Sequence, residues 1–234
     1  TVVIDRPARR NAMTMPMYAQ LVDACAQADG DADVLAMVIT GTAHAFCAGT
    51  DIATFLAVTN GDQGLAYERR ITEIVHRLEA VTVPTIAAIA GACMGGGLLM
   101  AAACDLRLAT SSARFGAPMA ATVGNTLSAD SLDLLVDRLG TANVQRMLIG
   151  AEVLGADEFA SSGFVRVVDN VNAEVAAVTA SLRDSAAQTV VAAKQALSQR
   201  RAARLAALPS DDDEVRKVYD HPDFHARIRA FLDR

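Results

Sequence analysis

Two apolar patterns alternate along the chain. Short runs rich in β-branched residues, such as "TVVID", "VLAMVITG" and "VPTIAAIAG", predict buried strands, whereas spaced apolar positions after Thr14 predict an amphipathic helix. Thr14 stands where an N-cap is expected, and Pro16 falls in the first turn of that helix. "DLRLAT" and "ARFGAP" add short strands, while "SADSLDLLVDRLG" and "NVQRMLIG" add helices. This alternation indicates an α/β architecture in which helices cover a parallel sheet.

The longest uncharged stretch, residues 80–104, is long enough to cross a bilayer. Pro84 precedes the β-branched run "TIAAIA", and Gly91 and residues 95–97 would weaken a continuous helix. We therefore expect a buried strand, a glycine turn and a buried helix that ends near Cys104, and no membrane span.

The composition changes at about Asn172, where an Ala- and Arg-rich helical segment begins. Residues 209–213, "PSDDD", interrupt this segment, and a last helix is expected to continue to Arg234. The amphipathic pattern predicts a packing or assembly surface. We accordingly divide the chain into a core, residues 1–171, and a C-terminal helical region, residues 172–234.

Composition and charge exclude several kinds of partner. The 234 residues are 52% hydrophobic and carry a formal net charge of −6, which suits a globular domain and disfavours nucleic acid. The four cysteines form no C-x-x-C pair and no zinc-type cluster with histidine, and His221 and His225 lack a third ligand. We predict buried free thiols at Cys25, Cys47, Cys93 and Cys104, no metal, and a reducing, cytoplasmic compartment.

Two small-residue loops are the strongest chemical signal. Glycines 95–97 open a helix, where unpaired backbone N–H groups meet the positive end of the helix dipole and favour negative charge. Close helix–strand packing explains such glycines equally well when they stand alone. A second loop, "AFCAGTDI" at residues 45–52, follows another strand and can direct a second N–H to the same ligand atom. Two converging N–H donors form an oxyanion hole.

Four ordered motifs then carry a family resemblance: "IDRPARRNAM", "VITGTAHAFCAGTDI", "PTIAAIAGACMGGGLLMAAACDLRLAT" and "ARFGAP". With them the chain resembles the crotonase superfamily of enoyl-CoA hydratases and isomerases over nearly its whole length. The resemblance implies a spiral of ββα units, acyl-CoA thioester substrates of fatty acid metabolism, and a C-terminal helical trimerisation region that forms homotrimers or hexamers. Coenzyme A would enter as part of the substrate, and no separate cofactor is expected.

The resemblance also implies site residues. The thioester oxygen would accept hydrogen bonds from the backbone N–H groups of Thr50 and Gly96. Coenzyme A would be bordered by Ala48, Asp51 and Ile52, and its phosphates would meet Arg9 and Arg10. Surface arginines beside a proline also commonly solvate a turn, so that alternative stays open for these two arginines.

Proton transfer departs from the hydratase pattern. Leu99 and Met119 occupy the positions where hydratases of the superfamily carry their two catalytic glutamates, and neither side chain transfers a proton. Asp130 is the first acid after Met119, near Asn125, Thr126 and Ser128, and is the candidate replacement, although it could equally complement a helix dipole. Further candidates are His44, Glu68, Glu73 and His76. Three hypotheses follow: an enzyme of this superfamily, an acyl-CoA-binding protein without hydratase activity, or a structural subunit.

Overall fold

The described part of the computed structural model, residues 1–42, 44–159 and 161–233, contains two sheets. The first is fully parallel and has the order β1 (Val2–Ile4), β2 (Met37–Gly41), β4 (Thr85–Ile89), β6 (Leu106–Ala109) and β9 (Arg166–Val167). The second has the order β3 (Ala45–Cys47), β5 (Ala92–Met94), β7 (Arg114–Gly116) and β8 (Val153–Gly155), and its last pair is antiparallel.

Helices complete the repeating unit. They are α1 (Met15–Gly30), α2 (Gly61–Glu79), α3 (Gly96–Ala103), α4 (Ala129–Leu139), α5 (Thr141–Leu148), α6 (Val171–Arg183), α7 (Ala187–Leu205), α8 (Asp212–Asp220) and α9 (Pro222–Leu232). Short 3₁₀ helices cover Pro7–Arg9, Ile52–Ala57, Met119–Ala121 and Ala156–Phe159. The units β2-β3-α2, β4-β5-α3 and β6-β7-α4 each place one strand in each sheet. The predicted α/β spiral of ββα units is therefore confirmed.

Local signals explain most boundaries, and two expectations need correction. The Thr14 side chain accepts a hydrogen bond from Met17 N, so the predicted N-cap is confirmed. The strand predicted from "VPTIAAIAG" is confirmed as β4, but two short strands were not expected: β5 follows Gly91, which has φ +67°, and β3 lies in a stretch predicted as a loop. The last helix is also not continuous, because Pro222 begins a new helix for which His221 is the N-cap.

The C-terminal region has two parts that pack differently. In α7 the buried residue is Arg201, and none of the described residues of α6 is buried. Helix α8 instead packs on α2, where Tyr219 occupies the space left by the missing side chain of Gly64. Helices α8 and α9 thus cover the core, while trimer assembly through the C-terminal region stays a prediction.

The apolar interior agrees with the predicted burial. All four cysteines are buried and free, as expected. Helix α3 is buried along almost its entire length, because its residues are apolar on every side. No helix in the described part of the chain is long and apolar enough to span a membrane.

Candidate functional site

The loop before α1 and the loop after β3 are joined by backbone hydrogen bonds. Ala48 N donates to Arg10 O at 3.0 Å, Met13 N donates to Gly49 O at 2.8 Å, and Asp51 N donates to Met13 O at 2.8 Å. The Gly49 N–H donates to Cys47 Sγ at 3.4 Å, so the N–H groups on both sides of Thr50 have partners. The Thr50 N–H donates to no protein acceptor among the described residues and lies at the wall of a cleft.

Asn11 fixes the first of these loops, a role that the sequence analysis missed. Its side chain is fully buried, and its Nδ2 donates to Ala45 O at 2.7 Å and to Thr42 O at 2.9 Å. Its Oδ1 accepts from Arg6 N at 2.9 Å. The signal in the sequence was the residue type, because asparagine adopts positive φ more readily than most residues, and Asn11 has φ +59°.

The glycine run presents the second group of donors. Gly95 N donates to Gly116 O at 2.9 Å, and the first bond of α3 runs from Leu99 N to Gly95 O at 3.0 Å. The N–H of Gly96 therefore has no helical partner, as expected for the first turn. Thr50 N lies 3.6 Å from the position that a Cβ would occupy on Gly96. The structure brings together the two residues that the sequence predicts as oxyanion donors.

Both donors line one cleft of about 230 Å³. Its wall is mostly apolar. It comes from the loop after β3, the 3₁₀ helices Ile52–Ala57 and Met119–Ala121, α2, the turn before α3, and α9. The lining residues include Ala48, Ile52, Phe55, Tyr67, Met94, Ala117, Met119, Val123, Asn125 and Phe231. Two of the predicted coenzyme A contacts, Ala48 and Ile52, and also Arg10, are thus at the cleft.

A chain of three hydroxyl groups lies beside the donors. Thr50 Oγ1 is 3.0 Å from the Tyr18 hydroxyl and 2.7 Å from the Tyr67 hydroxyl. Gly96 is required at this place, because a Cβ there would overlap the Tyr18 hydroxyl. Burial raises the pKa of both tyrosines well above the usual value, so both remain protonated at neutral pH. Neither tyrosine was predicted as a site residue, because only the fold brings residues 18, 50 and 67 together.

An aromatic cluster closes the far side of the cleft. The rings of Phe55 and Tyr67 meet edge to face with centroids 4.8 Å apart, and Phe224 packs on Phe55 at 5.9 Å. Phe231, near the end of α9, also faces the cleft. The C-terminal helices thus supply part of the cleft wall of their own chain.

Leu99 and Met119, which the resemblance implies at the positions of the hydratase glutamates, differ in placement. Leu99 is buried within α3, while Met119 begins a 3₁₀ helix and lines the cleft. Among the described lining residues there is no aspartate or glutamate.

Asp130 does not line the cleft, which removes the geometric basis for its candidacy as the acid or base. Its carboxylate accepts from Arg201 at 2.6 Å and lies 2.7 Å from His76 Nε2. Arg201 also pairs with Glu79 at 2.9 Å and with Asp133 at 2.8 Å. Asp130 therefore joins α4 to α2 and α7, and its hydrogen bond raises the pKa of His76. The partner Arg201 is 71 residues further along the chain, so this ion pair could not be expected from the local sequence.

The other candidates for the acid or base differ in burial and in their partners. Glu68 is buried, and its Oε1 accepts from the Tyr219 hydroxyl at 2.5 Å. Burial raises the pKa of Glu68 to about 7, although donors at Tyr219 and the Ser128 backbone act in the opposite direction. Glu73 is exposed and pairs with Arg70, and His44 is exposed. Glu68 lies behind the cleft wall rather than in it.

The predicted coenzyme A side of the site has its own ion pair. Asp51 caps the 3₁₀ helix after it by accepting from Ala53 N at 3.1 Å, and it pairs with Arg6 at 2.6 Å. Burial opposes ionisation of Asp51, but the hydrogen bonds from Arg6 and Ala53 outweigh it and lower its pKa. Arg9 is exposed, while Arg10 adopts a left-handed conformation with φ 49° and reaches the cleft. The alternative, that Arg9 simply solvates the turn, stays open.

A larger cavity, of about 530 Å³, lies elsewhere between the start of α4 and helices α8 and α9. Its wall carries charges of both signs, among them Asp211, Glu214, Lys217 and Arg227. The cavity lacks the pair of backbone donors that marks the smaller cleft. We therefore locate the candidate site by its donors and not by volume. Among the described residues, no group of three or more histidine, cysteine, aspartate or glutamate side chains could hold a metal ion.

The two-sheet spiral and the paired loops at its cleft define a protein of the crotonase-like α/β class. Comparison with known proteins then specifies the family: the family model for enoyl-CoA hydratase/isomerase matches residues 1–234, and the chain belongs to that family. A Mycobacterium tuberculosis protein named "Probable enoyl-CoA hydratase" is 31% identical over 201 residues, covering 85% of this chain and 77% of the relative.

Two further relatives cover more of the chain. The 2,3-dehydroadipyl-CoA hydratase of Escherichia coli is 30% identical over 237 residues, which cover all of this chain and 91% of the relative. The crystal structure of an enoyl-CoA hydratase/isomerase from Xanthobacter autotrophicus Py2 superposes with a TM-score of 0.86 at 26% identity, covering 99% of this chain and 91% of the other.

Proposed function

We propose that this protein is an acyl-CoA thioester enzyme that stabilises a thioester enolate between the backbone N–H groups of Thr50 and Gly96. The observation that carries the proposal is the approach of the two loops, with Thr50 N 3.6 Å from the Cβ position of Gly96. The names of the relatives, which are hydratases of enoyl-CoA thioesters, support the substrate class.

The chemistry follows from the charge that develops on the thioester oxygen. When the α-carbon loses a proton or the double bond is attacked, negative charge moves onto that oxygen. Two fixed N–H donors, Thr50 in the loop after β3 and Gly96 at the start of α3, stabilise this charge, and each donor is typically worth about 3 kcal/mol. The apolar wall strengthens the effect because little water competes for the oxygen.

The coenzyme A part of the substrate is proposed to follow the loop after β3. Ala48, Asp51 and Ile52 would border it, and Arg10 at the mouth of the cleft would meet its phosphates, with Arg9 close by. The ion pair between Arg6 and Asp51 supports this path, because it holds the loop in place beside the donors.

A second candidate function is acyl-CoA binding without hydration. It is favoured by the cleft lining, in which the described residues include no carboxylate and Met119 stands at one hydratase glutamate position. Polarisation of the thioester needs only the backbone donors, whereas water addition also needs a group that accepts and returns a proton.

Incubation with crotonyl-CoA in heavy water, read by mass spectrometry, separates the candidates. Water addition indicates hydratase chemistry, and deuterium incorporation without water addition indicates an enolate site with another reaction. If neither occurs while calorimetry still detects thioester binding, the binding candidate is supported. Absence of thioester binding contradicts both.

Gly96→Ala tests the donors directly. The added methyl group would lie 3.6 Å from Thr50 N and against the Tyr18 hydroxyl, so thioester binding and turnover should both be lost. Gly30→Ala is the matched control, because nothing lies within 4 Å of a Cβ at the end of α1. Unchanged thioester binding by a folded Gly96→Ala protein would contradict the proposed site.

A further inference from the structure

The hydroxyl chain beside the donors has no role in the proposed function, although it meets the cleft. Thr50 bonds through Oγ1 to Tyr18 and Tyr67, and Tyr67 also lines the cleft. Within the described lining, Tyr67 and Arg10 are the ionisable side chains. Among the described residues that line the cleft, Tyr67 is therefore the one that carries an acidic phenol O–H group.

The hydroxyl groups of Tyr18, Thr50 and Tyr67 together have one proton that the hydrogen bonds between them do not use. Three hydroxyl groups carry three protons, and the two bonds between them use two. Tyr18 is fully buried and has no other acceptor among the described residues, so its proton goes to Thr50. If Thr50 then donates to Tyr67, the unused proton is on Tyr67 and is free to point into the cleft.

The Tyr67 side chain lines the same cleft as Thr50 and Gly96. Thr50 Oγ1 lies 3.3 Å from the Cβ position of Gly96, and Thr50 N lies 3.6 Å from the same point. The Tyr67 hydroxyl is 2.7 Å from that Oγ1. The two residues that offer the backbone N–H groups and the Tyr67 phenol thus line one cleft, and Thr50 links the phenol to the backbone donors.

We infer that the Tyr67 hydroxyl is a third hydrogen-bond donor to the thioester oxygen, held in place by Thr50 and Tyr18. This inference rests on the proposed function. Tyr67 touches the substrate, whereas Tyr18 acts through Thr50 as a positioning residue. The phenol keeps its proton throughout, since it donates a hydrogen bond and transfers nothing.

The packing around Tyr67 fits a donor better than a base. Its ring is fixed edge to face against Phe55, which limits the hydroxyl to a narrow range of positions. Burial keeps the pKa of Tyr67 high, so the phenolate that a base would require is absent at neutral pH.

Tyr67→Phe removes the hydroxyl and keeps the ring. Calorimetry would compare butyryl-CoA with S-butyl-CoA, a thioether that lacks the carbonyl oxygen. Wild-type protein should prefer the thioester, and Tyr67→Phe should bind the thioester about five- to tenfold more weakly while its affinity for the thioether is unchanged. Tyr18→Phe should give a smaller loss that is also confined to the thioester.

Controls separate this inference from the proposed function. Tyr219→Phe removes a hydroxyl that bonds to Glu68 outside the cleft, and it should leave both affinities unchanged. If wild-type protein does not prefer the thioester, the proposed carbonyl recognition fails and the inference with it. If wild-type protein prefers the thioester and Tyr67→Phe keeps that full preference, the inference alone is overturned.

A second variant covers the case in which Tyr67→Phe does not fold. Thr50→Val keeps the backbone N–H of residue 50 and removes the hydroxyl that holds Tyr67. Its thioester preference should also fall, and an unchanged preference would overturn the inference. If Thr50→Val loses the preference while a folded Tyr67→Phe keeps it, the free proton belongs to Thr50 and the assignment to Tyr67 is wrong.

Discussion

Glu68→Gln should make the protein progressively more stable than wild type as the pH rises from 4.5 to about 7. Glu68 is buried between α2 and α8, and burial raises its pKa from 4.5 to about 7. Glutamine has nearly the same shape, stays neutral, and can still accept from the Tyr219 hydroxyl. The substitution therefore removes the titration while it keeps the packing.

The magnitude follows from proton linkage. Between pH 4.5 and 7 the folded protein holds the Glu68 proton that the unfolded chain has already released. The contribution of Glu68 to the free energy of unfolding is thus fully present below pH 4.5, and it falls by ~1.4 kcal/mol per pH unit as the pH rises. Over the whole window the loss is about 3 kcal/mol, and above pH 7 it is constant.

Urea unfolding followed by circular dichroism gives the free energy of unfolding at each pH. The experiment compares wild type and Glu68→Gln at one protein concentration and one ionic strength, so that the other titrating groups, His76 included, cancel in the difference. Glu73→Gln is the control, because Glu73 is exposed on the same helix and pairs only with exposed Arg70. A difference between Glu68→Gln and wild type that stays constant from pH 5 to pH 7 would refute the reasoning.

Three further predictions concern the neighbours of the site. Asp130→Asn should leave deuterium incorporation into crotonyl-CoA unchanged. It should lower the free energy of unfolding by about 2 kcal/mol, because Arg201 loses a carboxylate partner. Loss of deuterium incorporation in a folded Asp130→Asn protein would return Asp130 to the mechanism. Gly64→Ala should overlap the Tyr219 ring, and hydrogen exchange should become faster in α8 and α9 while the sheets stay protected. Met119→Glu should add water to crotonyl-CoA faster than wild type and faster than Met119→Gln; equal rates would show that a carboxylate at this position does not suffice.

The sequence predicted the parts of the site that depend on local backbone. The two small-residue loops could be recognised from the local sequence, whereas the assignment of their donors to Thr50 and Gly96 came from the resemblance to the crotonase superfamily. Tyr67 and Tyr18 could not be found in this way, because their contact with Thr50 depends on how α1 and α2 cross the loop after β3. The same limit applies to the ion pair of Asp130, whose partner Arg201 comes from α7.

Backbone donors and side-chain acids also respond differently to substitution. An N–H group at position 50 or 96 persists with any residue other than proline that the fold tolerates, so the two backbone donors remain whichever side chains line the cleft. A side-chain carboxylate, in contrast, disappears with a single substitution, and the resemblance implies such a difference at Leu99 and Met119. The apolar residues at those two positions therefore bear on proton transfer, which follows polarisation, and they leave the proposed oxyanion hole intact. A donor such as Tyr67 could add to that polarisation without restoring hydration.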